Sequence, residues 1–217
     1  MNTLHHAFWT YVVARKKKDL VKWFVIGAIW PDIIYFVMFL FAGVQKEAFT
    51  STLFLDLLKL PAFGFSFDAA SVAATHEFIC KLFEHPIVDG VRIAMHSLFI
   101  WTLAFGLIAI NSGVKLSPIK AFLWGWLGHV VTDLFTHASD AIPIFWPVSD
   151  MVIRSPVSYW HPDYYGREFG VINAILTFLA VFYLISDAWK RRKQEKKVQA
   201  RREDFSPIGV RTPPERN

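Results

Sequence analysis

Five His and Asp side chains fall within or beside the apolar stretches of this 217-residue chain. They are His6, Asp32, His96, His129 and Asp133. Ionisable side chains are costly inside membrane helices, where they usually mark a functional site that faces the interior of the helix bundle. Imidazole and carboxylate groups are typical ligands of Zn²⁺, with Mn²⁺ or Fe²⁺ as alternatives. We therefore predict that these five residues form a metal site, either around one ion or shared between two.

The spacing of the polar side chains in the third apolar stretch favours this interpretation. His129, Asp133 and His137 are four residues apart, which places them on one face of a helix. Two residues at this spacing can also be no more than hydrogen-bonded neighbours. His137 is as consistent with a histidine at the membrane interface as with a ligand.

The rise of an α-helix, ~1.5 Å per residue, places the five candidates at a similar depth. Measured along each helix from its cytoplasmic end, the distances are roughly 14 Å to His6 and His129, roughly 15 Å to Asp32, roughly 20 Å to Asp133 and roughly 22 Å to His96. This agreement favours a common site. His5 competes with His6 as the N-terminal ligand, and the sequence does not separate the two.

A metal ion with an open coordination position lowers the pKa of a bound water molecule. The predicted chemistry is therefore hydrolysis through a metal-bound hydroxide, with Asp133 or Asp32 as the candidate general base. Hydrogen bonds to the ligands are expected from Ser97, Thr132 and Thr136. A surface position is expected for Asp140, His161 and Asp163, and no role is assigned to His76 or His85.

The elements that must position these residues are apolar helices. Hydrophobic residues make up 54% of the chain and charged residues 19%, which is typical of a protein with lipid as part of its solvent. Four continuous apolar stretches approach the ~20 residues that cross a bilayer. They cover residues 23–43, 93–110, 121–135 and 170–189, and a shorter apolar piece covers residues 4–14. We predict an all-α, polytopic membrane bundle of about four spanning helices and a short N-terminal half-helix.

Two segments between these stretches have a different character. Residues 52–60 have helical periodicity, which predicts a helix along the membrane surface. Residues 139–169 are rich in proline and aromatic residues, which predicts an ordered loop at the interface.

The cationic residues indicate the orientation. The net charge of +5 is concentrated in two blocks, Arg15–Lys18 and Lys190–Lys193, that flank apolar stretches. This is the pattern of cytoplasmic loops, and it argues against nucleic acid as a partner. We predict a multi-pass protein of the inner (cytoplasmic) membrane. Its membrane-embedded metal-site domain would cover residues 1–194, and residues 195–217 would be a basic, disordered cytoplasmic tail.

At these residues the chain resembles the bacterial membrane-bound metal-dependent hydrolase family, itself related to zinc-dependent phospholipases C. The matching pieces are His6-Ala7-Phe8, Pro31-Asp32, His96-Ser97, Gly128-His129-x-x-x-Asp133 and Trp146-Pro147. The resemblance implies an all-α membrane bundle and a hydrolase of phosphoester or lipid-type substrates. Ile33-Ile34 and Ile93-Ala94-Met95 stand where family members often carry further acidic or histidine residues.

Two other function classes fit the same polar cluster. An ion transporter or channel would conduct ions through it, although four helices without an inverted repeat are a poor basis for alternating access. A structural metal protein would act as a scaffold. An open coordination position favours the enzyme, and a closed one favours the scaffold.

Overall fold

The computed structural model describes residues 1–34, 37–38, 84–113 and 115–204. The regular structure of this part is helical, apart from one isolated β-bridge between Pro143 and Val152. The α-helices are α1 (Thr3–Ala14), α2 (Val21–Ile29), α3 (Pro86–Met95), α4 (Leu98–Ser112), α5 (Pro118–Leu134) and α6 (Gly166–Asp204). The chain divides into two compact units, Met1–Ala174 and Ile175–Asn217. The predicted all-α fold is confirmed for the described residues.

The helix of the first apolar stretch is interrupted at Asp32, the candidate metal ligand of that stretch. Helix α2 ends at Ile29, and Trp30–Asp32 form a 3₁₀ turn. Pro31 is the reason, because proline has no N–H to donate and disfavours a helical conformation in the residue before it. Asp32 therefore lies in a turn rather than inside a long helix. Residues 35–36 and 39–83, which include the predicted surface helix and His76, lie outside the described residues.

The second apolar stretch forms two helices, not one. The chain bends by 58° between α3 and α4, at His96 and Ser97. The polar groups of this break are satisfied within the protein. His96 Nδ1 lies 2.8 Å from the carbonyl oxygen of Arg92, and Trp126 Nε1 donates to the carbonyl oxygen of Met95 (2.5 Å). The Ser97 hydroxyl accepts hydrogen bonds from N–H groups in the first turn of α4. The break is thus a built feature that fixes the direction of the His96 side chain.

Helix α5 packs against both α2 and α4 and carries more buried residues than any other helix of the first unit in the described structure. It begins at Pro118, a favoured residue for the first helical position. Its apolar core comprises Leu123, Trp126 and Val130, which pack with Ile144 from the following loop. The third predicted stretch is therefore the central helix of the unit.

The irregular segment between α5 and α6 is fastened to the end of α5. The backbone N–H of Ser155 donates to the carbonyl oxygen of His137, and its hydroxyl donates to that of Phe135. The backbone N–H of Tyr159 donates to the carbonyl oxygen of Thr136. These carbonyl groups have no partner within the helix, so the loop satisfies them and takes a fixed position beside the helix end.

Helix α6 is longer than predicted. It continues to Asp204 and so includes residues 195–204, which we expected to belong to a disordered tail. Residues 205–217 lie outside the described residues. Within the described part, Gly166–Ala200 of α6 is long and apolar enough to cross a membrane, and the bent pair of α3 and α4 also qualifies if it is counted as one span. The prediction of about four spanning helices stays a prediction.

Candidate metal centre

The structure brings the five predicted ligands together in the first unit. His6 comes from α1, Asp32 from the 3₁₀ turn, His96 from the break before α4, and His129 and Asp133 from successive turns of α5. All five are buried. They form two overlapping groups of potential ligands, one of His6, His129 and Asp133 and one of Asp32, His96 and His129.

Four ligand atoms, from Asp32, His96, His129 and Asp133, approach one another in the first unit. His129 Nε2 lies 3.1 Å from His96 Nε2 and 3.0 Å from Asp133 Oδ2. Asp32 Oδ1 is 3.6 Å from His129 Nε2 and 3.7 Å from His96 Nε2. His96 Nε2 and Asp133 Oδ2 are 3.5 Å apart. Ligand atoms ~2.0–2.1 Å from a tetrahedral ion are ~3.3 Å from one another. The five distances, which run from 3.0 to 3.7 Å, are therefore compatible with ligands that share one zinc ion.

The hydrogen bonds of the two histidines orient their lone pairs towards this position. Nδ1 of His129 lies 2.7 Å from the carbonyl oxygen of Ala28, and Nδ1 of His96 lies 2.8 Å from that of Arg92. A carbonyl oxygen only accepts, so each Nδ1 carries the proton and each neutral ring presents a bare Nε2. Two lone pairs that face each other at 3.1 Å, with carboxylate oxygens beside them, repel one another unless a cation lies between them. The donor set is thus that of a cation site.

Asp133 faces two different sets of atoms with its two oxygens. Oδ2 faces His96 and His129, as described above. Oδ1 lies 2.8 Å from His6 Nε2, 2.5 Å from the amino group of Met1 and 3.3 Å from His137 Nε2. His6 Nε2 is also 2.9 Å from the carbonyl oxygen of Met1. Because each oxygen of Asp133 faces a different set of side chains, this carboxylate has the geometry to bridge two metal positions.

The structure separates His5 from His6, which the sequence left open. His6 turns towards Asp133, and its ring stacks on that of His129 at 3.7 Å between centroids. His5 turns the other way, and its ring nitrogen lies 3.0 Å from the side-chain amide of Asn173 on α6. His6 is therefore the histidine of α1 that reaches the cluster.

His137 and Asp140 extend the cluster, and sequence reasoning missed their connection. His137 Nδ1 lies 2.7 Å from Asp140 Oδ2, and Trp160 Nε1 donates to the same oxygen (3.1 Å). Burial alone would raise the pKa of Asp140, but the hydrogen bond and charge of His137 lower it below its ordinary value. Asp140 is half-buried and belongs to neither ligand group. The spacing of three residues between an interfacial histidine and an aspartate is the signal that could have identified the pair.

Hydroxyl groups near the ligands differ from the prediction. The Thr136 hydroxyl accepts a hydrogen bond from the amino group of Met1 (2.8 Å), and the Thr3 hydroxyl donates to Asp32 Oδ2. Ser97 instead donates to the carbonyl oxygen of Trp146, and Thr132 to that of Gly128 within its own helix. Among the three hydroxyl residues proposed from sequence, only Thr136 contacts a group of the cluster in the described structure.

His161 and Asp163 lie outside the two ligand groups. The backbone N–H of Asp163 donates to His161 Nδ1, and the Asp163 side chain is largely exposed. This pair begins the 3₁₀ turn before α6.

The comparisons with known proteins point to the same chemistry. A family model described as zinc-dependent phospholipase C matches residues 3–205, which include every candidate ligand. No curated protein and no solved structure matches the chain. The family match and the buried His/Asp cluster together support a metal-dependent hydrolase, with zinc as the metal. Because the match extends over nearly the whole chain, this protein belongs to the zinc-dependent phospholipase C family.

Proposed function

We propose that the protein is a membrane-embedded, zinc-dependent hydrolase that cleaves a phosphoester bond in a lipid-type substrate. The observation that carries this proposal is the close, buried set of Nε2 and carboxylate oxygen atoms from Asp32, His96, His129 and Asp133. The family match supports the phosphoester class of substrate.

The chain's own residues provide the binding and the proton acceptor. Zinc, when bound by these ligands, supplies a Lewis acid and lowers the pKa of water enough for attack on phosphorus at neutral pH. Asp32 is better placed than Asp133 to accept the proton, because both oxygens of Asp133 are engaged: Oδ1 faces Met1 and His6, and Oδ2 faces His96 and His129. The hydrogen bond from Thr3 to Asp32 Oδ2 holds the carboxylate so that Oδ1 faces the histidines.

The two faces of Asp133 support a centre with two zinc positions. One position would be held by Asp32, His96, His129 and Asp133 Oδ2. The other would be held by His6 and Asp133 Oδ1, with loss of the proton that His6 Nε2 donates to the carbonyl oxygen of Met1 and to Asp133. A bridging carboxylate is a common feature of two-metal hydrolytic sites, in which the ions lie ~3.5–4 Å apart.

The exposed apolar faces support a location in the membrane. On α4, side chains on one face are exposed in this structure although they are apolar: Phe99, Leu103, Leu107 and Ile110. The apolar part of α6 is exposed along nearly its whole length. Such surfaces are stable when lipid covers them. A multi-pass position in the inner membrane would bring the centre within reach of lipid headgroups, which favours a phospholipid or lipid-linked phosphate as substrate.

Purified full-length protein tests the proposal directly. We expect bound zinc, and hydrolysis of a phosphodiester such as bis(4-nitrophenyl) phosphate or of phospholipid vesicles. Chelation should abolish this activity, and added Zn²⁺ should restore it. The His129→Ala variant should lose both zinc and activity, whereas His85→Ala, at an exposed histidine outside the cluster, should keep both.

A different result would favour a different function. A zinc-loaded protein that hydrolyses no ester in a broad panel, but conducts ions in liposomes, would contradict the hydrolase and favour ion transport through the same cluster.

A further inference from the structure

The loop that follows α5 places one tyrosine beside the metal centre. The backbone N–H of Tyr159 donates to the carbonyl oxygen of Thr136 (2.9 Å), and the Tyr159 ring lies against the His137 ring, with 5.1 Å between centroids. His137 Nε2 is itself 3.3 Å from Asp133 Oδ1. One side chain, that of His137, therefore separates Tyr159 from the Asp133 carboxylate.

The position of Tyr159 is fixed on both sides. Before it, Ser155 is bonded to the end of α5 and the Ser158 side chain is fully buried. After it, the Trp160 indole donates to Asp140, the partner of His137. A side chain held in this way loses little further conformational freedom when it binds a ligand.

The Tyr159 hydroxyl makes no hydrogen bond to any of the described residues. The hydroxyls of Thr3 and Thr136 are already committed, to Asp32 and to the carbonyl oxygen of Thr132.

The surroundings of the phenol keep its proton in place. Burial raises the pKa of Tyr159 far above its ordinary value, and the charges of Asp140, Asp133 and Asp32 raise it further. At any working pH the group is neutral and can donate.

Resting on the function proposed above, we propose that the Tyr159 hydroxyl donates a hydrogen bond to a phosphoryl oxygen of the substrate bound at this centre. The atoms of His96, His129 and Asp32 that face the centre are acceptors only, being imidazole lone pairs and a carboxylate oxygen. A phosphate group brought to the metal has oxygens that need donors, and Tyr159 supplies one from a rigid loop. This makes Tyr159 a substrate-binding residue.

Inorganic phosphate is the probe that separates this proposal from catalysis. The zinc-loaded, full-length protein is titrated with phosphate by calorimetry, as wild type and as the Tyr159→Phe and Tyr165→Phe variants. Tyr165 is the matched control because it lies in the same loop with an exposed side chain. A hydrogen bond to a charged group contributes ~1.5–3 kcal/mol, which corresponds to an affinity loss of about 10- to 100-fold.

We expect Tyr159→Phe to bind phosphate about 10- to 100-fold more weakly, with the zinc content and melting temperature of the wild type. Tyr165→Phe should match the wild type in all three measurements. Equal phosphate affinity in Tyr159→Phe and wild type would overturn the proposal. So would a loss of zinc or of melting temperature that parallels the loss of phosphate affinity, since that result indicates a structural role, or a zinc-loaded wild type that does not bind phosphate.

The result does not depend on finding the enzyme's substrate, because phosphate binding requires no turnover. A wild type that binds phosphate through Tyr159 but cleaves no ester would leave this inference intact and count against the hydrolase function alone.

Discussion

Gly27 of α2 and Gly125 of α5 lie at one helix crossing, where each glycine faces the main chain of the other helix. A Cβ atom on Gly27 would lie 1.9 Å from the carbonyl oxygen of Phe122, and a Cβ on Gly125 would lie 1.9 Å from that of Phe24. The two backbones are therefore in direct contact. This contact allows the carbonyl oxygen of the next residue, Ala28, to reach His129 Nδ1.

We predict that Gly125→Ala disrupts the metal centre. The added methyl must push α2 away from α5, which breaks the contact between Ala28 and His129 and withdraws Asp32 from its partners. The variant should bind zinc at least about 10-fold more weakly, the effect typical of losing a group that orients a ligand. It should also be less stable, because overpacking typically costs about 1–3 kcal/mol.

Gly128→Ala is the matched control for this experiment. Gly128 lies on the same helix and next to His129, but a Cβ at this position meets nothing within 4 Å. Alanine is the better helix former by about 1 kcal/mol, so this variant should be as stable as the wild type or more so. Equal zinc affinity in the two glycine variants, measured by competition with a chelating dye, would show that the helix contact does not position the ligands.

The bridging geometry of Asp133 leads to a prediction about the number of ions. Wild-type protein should contain two zinc ions per chain, one for each of the two positions proposed above. His6→Ala should remove one ion, because His6 belongs to only one of these positions. Asp133→Asn should lower the occupancy of both positions. Elemental analysis of protein dialysed against a weak chelator provides the measurement, with His85→Ala as control. A His6→Ala variant that retains the wild-type zinc content would show that His6 does not bind the metal.

Asn173 connects the N-terminal helix to the start of α6. Its side-chain oxygen accepts a hydrogen bond from Trp9 Nε1 (3.1 Å), and its amide lies 3.0 Å from a ring nitrogen of His5. Asn173→Ala should lower the free energy of unfolding by about 1–3 kcal/mol, because His5 and Trp9 on α1 both lose the Asn173 side chain as a hydrogen-bond partner. Asn111→Ala is the control, since its amide bonds only within α4 and is exposed. Thermal unfolding in detergent compares the two, and equal melting temperatures would contradict the prediction.

The basic residues lead to a prediction about topology. Lys16–Lys18 are exposed in the turn between α1 and α2, and a second basic block occupies α6 from Lys190 onwards. Both blocks should face the cytoplasm. Reporter fusions at Lys115 and Asn217 should then both report a cytoplasmic location, and an external reading at Asn217 would exclude the arrangement with four spans.

The sequence predicted which residues meet but not how the chain brings them together. The depth of each residue along a helix was enough to place Asp32, His96 and His129 in one cluster, because the helical rise is constant. The interruptions at Asp32 and His96 were not predicted. Pro31 is a local signal for the interruption at Asp32. The interruption at His96 has no such signal, because it depends on the hydrogen bond from Trp126, which is distant in sequence, and on that from Ser97 to the loop residue Trp146.

The role of His137 shows the same limit. Its spacing from Asp133 follows the helix, but α5 ends at Leu134 and His137 lies in the turn beyond it. Its partner Asp140 and its neighbour Tyr159 are set by the path of the loop, which no periodic pattern describes.

The hydrogen bonds that anchor the segment between α5 and α6 also indicate where this segment tolerates an insertion. Ile144 is held to α4 by a hydrogen bond from Leu98, and Ser155 is held to the end of α5, whereas Val148 and Asp150 between them are exposed. Exposed loop tips with anchored ends tolerate insertions well. A short epitope inserted after Asp150 should leave the zinc content unchanged. This position therefore offers a handle for detecting the protein by antibody while its chemistry stays intact.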